Sequence, residues 1–237
     1  MNVTYMSIFD AANTIAYKTK PILFCDTCAL LDIIRLPLRE KSSSRLIATL
    51  KSISNILSMV DNKDIILVSP PPILLEWQEH ASYICEELAA NIDIFSAKYA
   101  IIKATAAHQG TNLPPLSISS QAIAQHYYNL SERLLCVSII LNKEDAPSLC
   151  AVDRATSCIA PARKGTIKDC LIYEHMLKLI DELIKKGFSA KRVFITSNTN
   201  DFCDERNNPK PPIDDELSVR STIFCTNWNW AYSIFRP

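Results

Sequence analysis

Residues 21–35 read PILFCDTCALLDIIR and join two kinds of structural pattern through one acid. The apolar run ILFC (22–25) has the length and composition of a strand that is buried on both faces. Asp26 ends this run, and Thr27 begins an apolar pattern with helical spacing. A carboxylate in this place has two interpretations: it caps the helix, or it belongs to a metal-binding catalytic site. Taken alone, the stretch favours the cap.

The same kind of short apolar run recurs three times further along the chain. Helical periodicity fills the sequence between these runs, and Thr166 is placed to cap the clearest of the helices. Continuously apolar strands separated by helices predict an α/β fold, a three-layer sandwich around a central, mainly parallel sheet. The further strands are expected at DIILVS (64–69), RVFITS (192–197) and STIFCT (221–226), and the helices at 42–60, 73–105, 123–141 and 166–187.

The middle of the chain is too long for one crossover connection. Well over a hundred residues separate the second and third predicted strands. We therefore expect a single domain over residues 1–237, with a helical insertion at about 85–160. Loops are expected at 108–120 and 142–165, where turn-forming residues interrupt the helical pattern.

Composition excludes several classes of protein. Hydrophobic residues make up 48% of the chain and charged residues 21%, which predicts a packed core rather than disorder. Lys and Arg balance Asp and Glu at 25 each, so any surface that binds nucleic acid has to be local. The chain has only 3 glycines and neither a GxGxxG nor a GxxxxGK[ST] motif, which argues against nucleotide binding by those routes.

Cysteine usage and hydropathy indicate a cytoplasmic protein. The nine cysteines are odd in number and lie mostly in apolar runs, which is typical of free buried thiols rather than disulfides. Cys25 and Cys28 have CxxC spacing, but no second pair supports a zinc site. No segment reaches about 18 uncharged apolar residues, so neither a membrane span nor a membrane partner is expected.

Acids follow the predicted strands at the edge of the sheet where ligands bind. Asp26 follows the first strand, and Glu76 lies early in the helix after the second. Asp169 falls in the first turn of the helix that leads to the third strand, which Asn198 and Asp201 follow. Each acid alone is explained by helix capping or by solvation. Because all four acids fall at the carboxyl ends of parallel strands, we expect them to converge, and converging carboxylates favour Mg²⁺ or Mn²⁺.

Four segments in this order resemble the motifs of the PIN-domain nucleases. The chain is nearer to the larger bacterial PIN-like proteins than to the small VapC-type toxins, and the resemblance leaves residues 85–160 unmatched. It implies that Asp26, Glu76, Asp169 and Asp201 are catalytic metal ligands, with Asn198 as a further ligand. The matching segments are ILFCDTCALLDI, VSPPPILLEW, IKDCLIYEHML and VFITSNTNDF.

Two positions depart from the pattern of that family. Lys168 stands where a glycine usually precedes the third acid, and Asn198 stands where many members have Asp. Glu174 follows Asp169 by five residues, about 140° round a helix, so we expect it to face elsewhere and keep it as a secondary candidate.

The resemblance also implies a substrate, which is single-stranded or structured RNA cut by metal-activated water. Basic residues just before Asp169 support contacts with phosphate, although a solvated basic loop explains them equally well. Thr27 is expected to cap the first helix and to donate to the site. The expected substrate contacts are Thr27, Arg163, Lys164 and Lys168, and Arg154 lies in the same basic stretch.

Two functions from different classes remain open on the sequence. The first is an endoribonuclease dependent on Mg²⁺ or Mn²⁺, acting as a toxin or a defence effector, with an antitoxin or a second copy of the chain as partner. The alternative is a PIN-fold module with a degraded site that acts by binding RNA or protein. Asn198 and Lys168 are the features that permit the alternative.

Overall fold

A computed structural model describes residues 3–162 and 166–236, which contain one six-stranded sheet. The strands lie in the order β1-β4-β3-β2-β5-β6, and every neighbouring pair is parallel. The strands are β1 (Thr4–Met6), β2 (Ile22–Cys25), β3 (Ile66–Ser69), β4 (Ile139–Leu141), β5 (Arg192–Ile195) and β6 (Thr222–Cys225).

Helices follow the strands in the manner of an α/β protein. On one side α1, α6 and α7 pack together, and elsewhere α2 packs on α4 and α5 while α3 packs on α10. This arrangement is consistent with a three-layer α/β fold. The helices are α1 (Ile8–Lys18), α2 (Thr27–Arg39), α3 (Ser43–Asp61), α4 (Ile73–His108), α5 (Ser120–Val137), α6 (Asp145–Thr156), α7 (Lys168–Lys185), α8 (Thr199–Phe202), α9 (Ile213–Val219) and α10 (Trp228–Phe235).

The four predicted strands are all present, within a residue or two of their expected bounds. In β2, β3 and β5 every residue is buried, which explains why their sequences are apolar without alternation. A polar hydrogen-bonded chain also crosses the core, because Trp77 Nε1 donates to Ser131 Oγ and this hydroxyl donates to the carbonyl of Leu30 (both 2.8 Å).

Two strands, β1 and β4, were not predicted. Strand β4 belongs to a run that was predicted as helix through residue 141. The helix α5 ends at Val137 instead, and Ile139–Leu141 pair with β1 and β3. Three apolar residues carry too little periodicity to distinguish a strand from the end of a helix. The segment expected as an insertion at about 85–160 therefore contains a strand of the central sheet.

The expected loop at 142–165 is wrong over much of its length. Helix α6 occupies Asp145–Thr156 within it and packs against α7. The apolar side of this helix is short, and Pro147 favoured a loop in the sequence pattern. Proline is nevertheless tolerated in the first turn of a helix, where Pro147 lies. The cap predicted at Thr166 is also wrong, since Ile167 occupies the N-cap position of α7.

Helix α4 has two different halves. Its first half carries the buried residues of the helix, which end at Ala89. Beyond that point the apolar side chains Ile94, Phe95, Ile101 and Ile102 are each more than half exposed. The distal half of α4 therefore extends from the body of the domain.

Two further expectations from composition can be compared with the structure. All nine cysteines are free thiols, but only four of them are buried, fewer than the sequence predicted: Cys25, Cys170, Cys203 and Cys225. Over residues 3–162 and 166–236, none of the helices combines the length and the apolar character that crossing a bilayer requires.

The connectivity creates a switch point in the middle of the sheet. From β2 the chain moves to β3 and then to β4 on one side, whereas β5 and β6 lie on the other side of β2. The connections that leave β2 and β5 therefore diverge, and the crevice between their carboxyl ends is where open α/β sheets bind ligands.

Candidate active site

Asp26 lies at this switch point and is 1% exposed. Residues Cys25 and Ile195 are opposite each other at the ends of β2 and β5, so the next residues of both strands meet. The backbone N–H of Asp26 donates to the carbonyl of Ile195 (3.0 Å), and Thr196 Oγ1 donates to Asp26 Oδ2 (2.6 Å). The carboxylate is thus held by the neighbouring strand.

The Asp26 side chain is a poorly formed helix cap. The residue occupies the N-cap position of α2 without a capping hydrogen bond of good geometry, although the backbone N–H groups of Thr27 and Cys28 lower the pKa of its carboxyl group. Its Oδ1 is buried and has no hydrogen-bond partner. Leaving a buried acceptor unpaired is costly, so this oxygen marks a place where a ligand would be stabilising.

Thr27 links the first acid to the second. It is the first residue of α2 rather than its cap, and its Oγ1 donates to Glu76 Oε2 (2.6 Å). Glu76 lies in the first turn of α4, directly after β3. The prediction that Thr27 caps the helix is wrong, since Asp26 occupies that position; its hydroxyl donates to Glu76, and its contact with substrate stays a prediction.

Asn198 joins the remaining acids. Its Nδ2 donates to Asp169 Oδ2 (3.3 Å) and to Asp201 Oδ2 (2.9 Å), while Thr196 Oγ1 accepts from its backbone N–H (3.0 Å). Asn198 therefore acts here as a donor between two carboxylates. Asp201 Oδ1 is a second buried oxygen without a hydrogen-bond partner.

These side chains surround an open cleft with a volume of about 420 Å³. Three of the four predicted acids line it, and Asp201 lies behind them, joined through Asn198. The lining residues are Asp26, Thr27, Cys28, Leu31, Glu76, His80, Thr166, Ile167, Lys168, Asp169 and Asn198.

Two carboxyl groups of the cleft have raised pKa values. Burial raises the pKa of Asp26 to about 6; the hydrogen bond from Thr196 opposes this shift, and the charge of Glu76 adds to it. Burial also raises the pKa of Asp169 to about 7, and the charges of Asp26 and Asp201 add to the shift. The cleft thus concentrates negative charge, of which its own Lys168 offsets only the part on Glu76.

Sequence reasoning missed three residues of this site. Thr196 positions Asp26, and its signal was a hydroxyl directly after a buried strand. His80 lines the cleft four residues after Glu76, one helical turn along α4. Cys28 also lines it, and burial raises the pKa of this thiol well above its ordinary value, which keeps it neutral.

The donors of the cleft fit a hard cation, although no metal geometry is preformed. Among the side chains in residues 3–162 and 166–236, no three of His, Cys, Asp or Glu are grouped closely enough to hold a metal ion. Oδ1 of Asp26 and Oδ1 of Asp201 are buried without a hydrogen-bond partner, and burial raises the pKa of Asp26 and Asp169. Carboxylate oxygens suit Mg²⁺ and Mn²⁺.

Other predicted residues lie outside the cleft. Glu174 faces elsewhere, as expected, because its Oε1 accepts from Nε of Arg154 (2.5 Å). Arg154 is buried and also donates to Glu216 Oε1 (2.6 Å), so it holds α6, α7 and α9 together rather than facing a substrate. Arg163 and Lys164 lie outside the described residues.

Comparisons with protein-family models, with curated proteins and with solved structures found no match to this chain.

Proposed function

We propose that this chain is an endoribonuclease that depends on Mg²⁺ or Mn²⁺, with a PIN-like fold. One observation carries the proposal: the buried Asp26 and the half-buried Asp169 line one cleft at the switch point of a parallel sheet. Burial raises the pKa of both carboxyl groups, and no described cation pairs with either. The four resembling motifs support the same reading.

In the described part of the chain Asp26, Glu76 and Asp169 line the cleft without being grouped as a metal site. A divalent cation would draw these three carboxylates together, with Asp201 adding charge from behind. A divalent cation in that place lowers the pKa of a bound water and stabilises negative phosphate oxygens. Thr196 and Thr27 hold two of the acids by hydrogen bonds of 2.6 Å, which fixes the carboxylates before a ligand arrives. Asn198 spaces Asp169 from Asp201.

The substrate and biological setting follow from the resemblance. RNA, single-stranded or structured, is the proposed substrate, and Lys168 at the mouth of the cleft is the described basic residue best placed to meet its phosphates. A role as a toxin or defence effector in the cytoplasm, with an antitoxin or a second copy as partner, belongs to the same proposal.

A second candidate function is a PIN-fold module with a degraded site that binds RNA or protein without cutting. The contacts of two residues favour it. Asn198 donates to two of the acids, and Lys168 pairs with Glu76, so part of the negative charge is already satisfied by the chain itself. Calorimetric titration with Mn²⁺ separates the candidates, because the nuclease has to bind the ion and the module does not.

Asp26→Asn tests the nuclease directly. We expect the variant to lose at least about 100-fold of the cleavage rate on a fluorescent single-stranded RNA with Mn²⁺, since a neutral amide cannot replace the buried carboxylate ligand. Circular dichroism should show an unchanged fold.

Asp32→Asn is the matched control for that experiment. Asp32 lies on the same helix and pairs with Arg39 outside the cleft, so this variant should cut RNA at the parental rate. If Asp26→Asn cuts as fast as the parent and the Mn²⁺ dependence is the same, the proposed nuclease is wrong.

A further inference from the structure

Lys168 occupies an unusual position for a lysine. It is the first residue of α7, where the partial positive charge of the helix N-terminus disfavours a cation. Its Nζ lies 3.4 Å from Glu76 Oε1 and 3.6 Å from Glu79 Oε2, both on α4. The lysine thus bridges α7 and α4 across the mouth of the cleft, although its charge destabilises the N-terminus of α7.

The two oxygens of Glu76 have different partners. Oε2 accepts from the Thr27 hydroxyl inside the cleft, and Oε1 faces the Lys168 ammonium at its mouth. Among the ion pairs of the described ranges, this is the one that reaches a carboxylate lining the cleft. The deeper Asp26 and Asp169 have no such partner, so the negative charge of the site is only partly compensated.

We propose that Lys168 is an internal counter-ion of the cleft, which a divalent cation displaces from Glu76, so that the freed ammonium becomes available to substrate phosphate. The inference rests on the proposed cation site and adds a regulation of it: metal loading and the exposure of the phosphate-binding lysine become one event. The cleft would therefore bind substrate phosphate through Lys168 only after a divalent cation has bound.

The exposure of Lys168 makes this exchange easy. Its side chain is 56% exposed, against 13% for Glu76. Solvent therefore screens the ion pair, which is weak. A divalent cation brings twice the charge to Glu76 and is also attracted by Asp26 and Asp169. The released ammonium remains at the mouth of the cleft, where it can meet a phosphate oxygen.

Amine labelling followed by mass spectrometry measures the release. Acetylation of Lys168 by a limiting reagent should rise several-fold when Mn²⁺ is added to the full chain, because the amine leaves its carboxylate partners. Lys98, exposed on α4 and outside the cleft, is the internal reference and should not change. In Glu76→Gln, labelling of Lys168 should already be high without Mn²⁺ and should not respond to it.

Calorimetry on two variants gives an independent measurement. Lys168→Gln should bind Mn²⁺ about two- to five-fold more tightly than the parent, in line with the strength of an exposed ion pair, and Lys168→Arg should restore the parental affinity. If the parent binds Mn²⁺ while Lys168 labelling and the affinity of Lys168→Gln are unchanged, the counter-ion is overturned and the nuclease stands. If neither the parent nor Lys168→Gln binds Mn²⁺, the cation site falls and this inference falls with it.

Discussion

At the residue scale, Asp26 and Asp169 are carboxylic acids in places where burial disfavours their charged form. Their pKa values are raised to about 6 and about 7, in each case first by burial and then by neighbouring acids. An acid that is buried without a counter-charge destabilises the fold, and proteins keep such groups mainly where function requires them. Asp26 could be located from sequence because a strand pattern ends on it, whereas its partner Thr196 could not be distinguished from an ordinary turn residue.

Asp169→Asn should stabilise the metal-free protein at pH 8. The folded-state pKa of Asp169 is above its unfolded value, so the unfolded chain ionises first as pH rises and the penalty grows between about pH 4 and pH 7. The variant avoids this penalty, and we expect a gain on the order of 1–3 kcal/mol in urea unfolding with EDTA.

The gain should shrink at pH 5, where the folded parent carries Asp169 largely protonated, and Mn²⁺ at pH 8 should stabilise the parent more than the variant. Asp32→Asn is the control, since it removes an acid from the same protein outside the cleft. A variant that is less stable than the parent at pH 8 in EDTA would show that another group of the fold compensates the charge of Asp169.

At the scale of elements, helix α4 combines a site-forming half with a projecting half. Near its start Glu76 and His80 line the cleft, and Glu76 and Glu79 pair with Lys168. The second half has exposed apolar side chains, and Tyr99 Oη donates to the carbonyl of Pro114 (2.9 Å) in the loop that follows. Helical periodicity predicted this helix well, because the period is a local property, but it did not show where the helix leaves the core.

Amide hydrogen exchange should divide α4 at about Ala89. Amides beyond this point should exchange at least about ten-fold faster than those between Ile73 and Ala89, because few buried contacts oppose local opening of the distal half. Peptide-resolved mass spectrometry on the full chain measures this. Equal protection along the whole helix would mean that the distal half is covered in solution.

At the scale of the whole molecule, a buried histidine ties three elements of one layer together. His175 of α7 is fully buried; its Nδ1–H donates to the carbonyl of Leu171 (2.8 Å), and its Nε2 accepts from the backbone N–H of Glu144 (3.0 Å). Glu144 Oε1 in turn accepts from the backbone N–H of Ile8 at the start of α1 (2.6 Å). The neutral ring is the form that makes both contacts.

This network should make the fold sensitive to acid. Burial lowers the pKa of His175; Glu144 favours the charged ring and Lys143 disfavours it. Because the folded-state pKa is below the unfolded value, the contribution is complete above about pH 6.5 and is lost as pH falls below it. The stability advantage of the parent over His175→Gln should therefore be smaller at pH 5 than at pH 7.5, measured by urea unfolding. An advantage that does not change with pH would show that His175 does not titrate differently in the two states.

The sequence alone determined the parts that local patterns encode. Strands with buried faces require apolar runs, so β2, β3, β5 and β6 were predictable, as was Asp26, the acid that follows β2. The long helices were also predictable from a local pattern, because an apolar face on a helix requires apolar residues at helical spacing in the sequence.

Only the tertiary structure decided how distant segments pair. Residues Ile139–Leu141 form a strand because β1 and β3 lie on either side of them. Three residues are too few for their own pattern to predict a strand. The contacts of Thr196 with Asp26 and of Lys168 with Glu76 join residues far apart in the chain, through the topology of the sheet. The residue types set which chemistry was available. The pairing of β2 with β5, from which the connections diverge, brought those residues to one cleft. Contacts between distant side chains depend on three-dimensional packing and not on spacing in sequence.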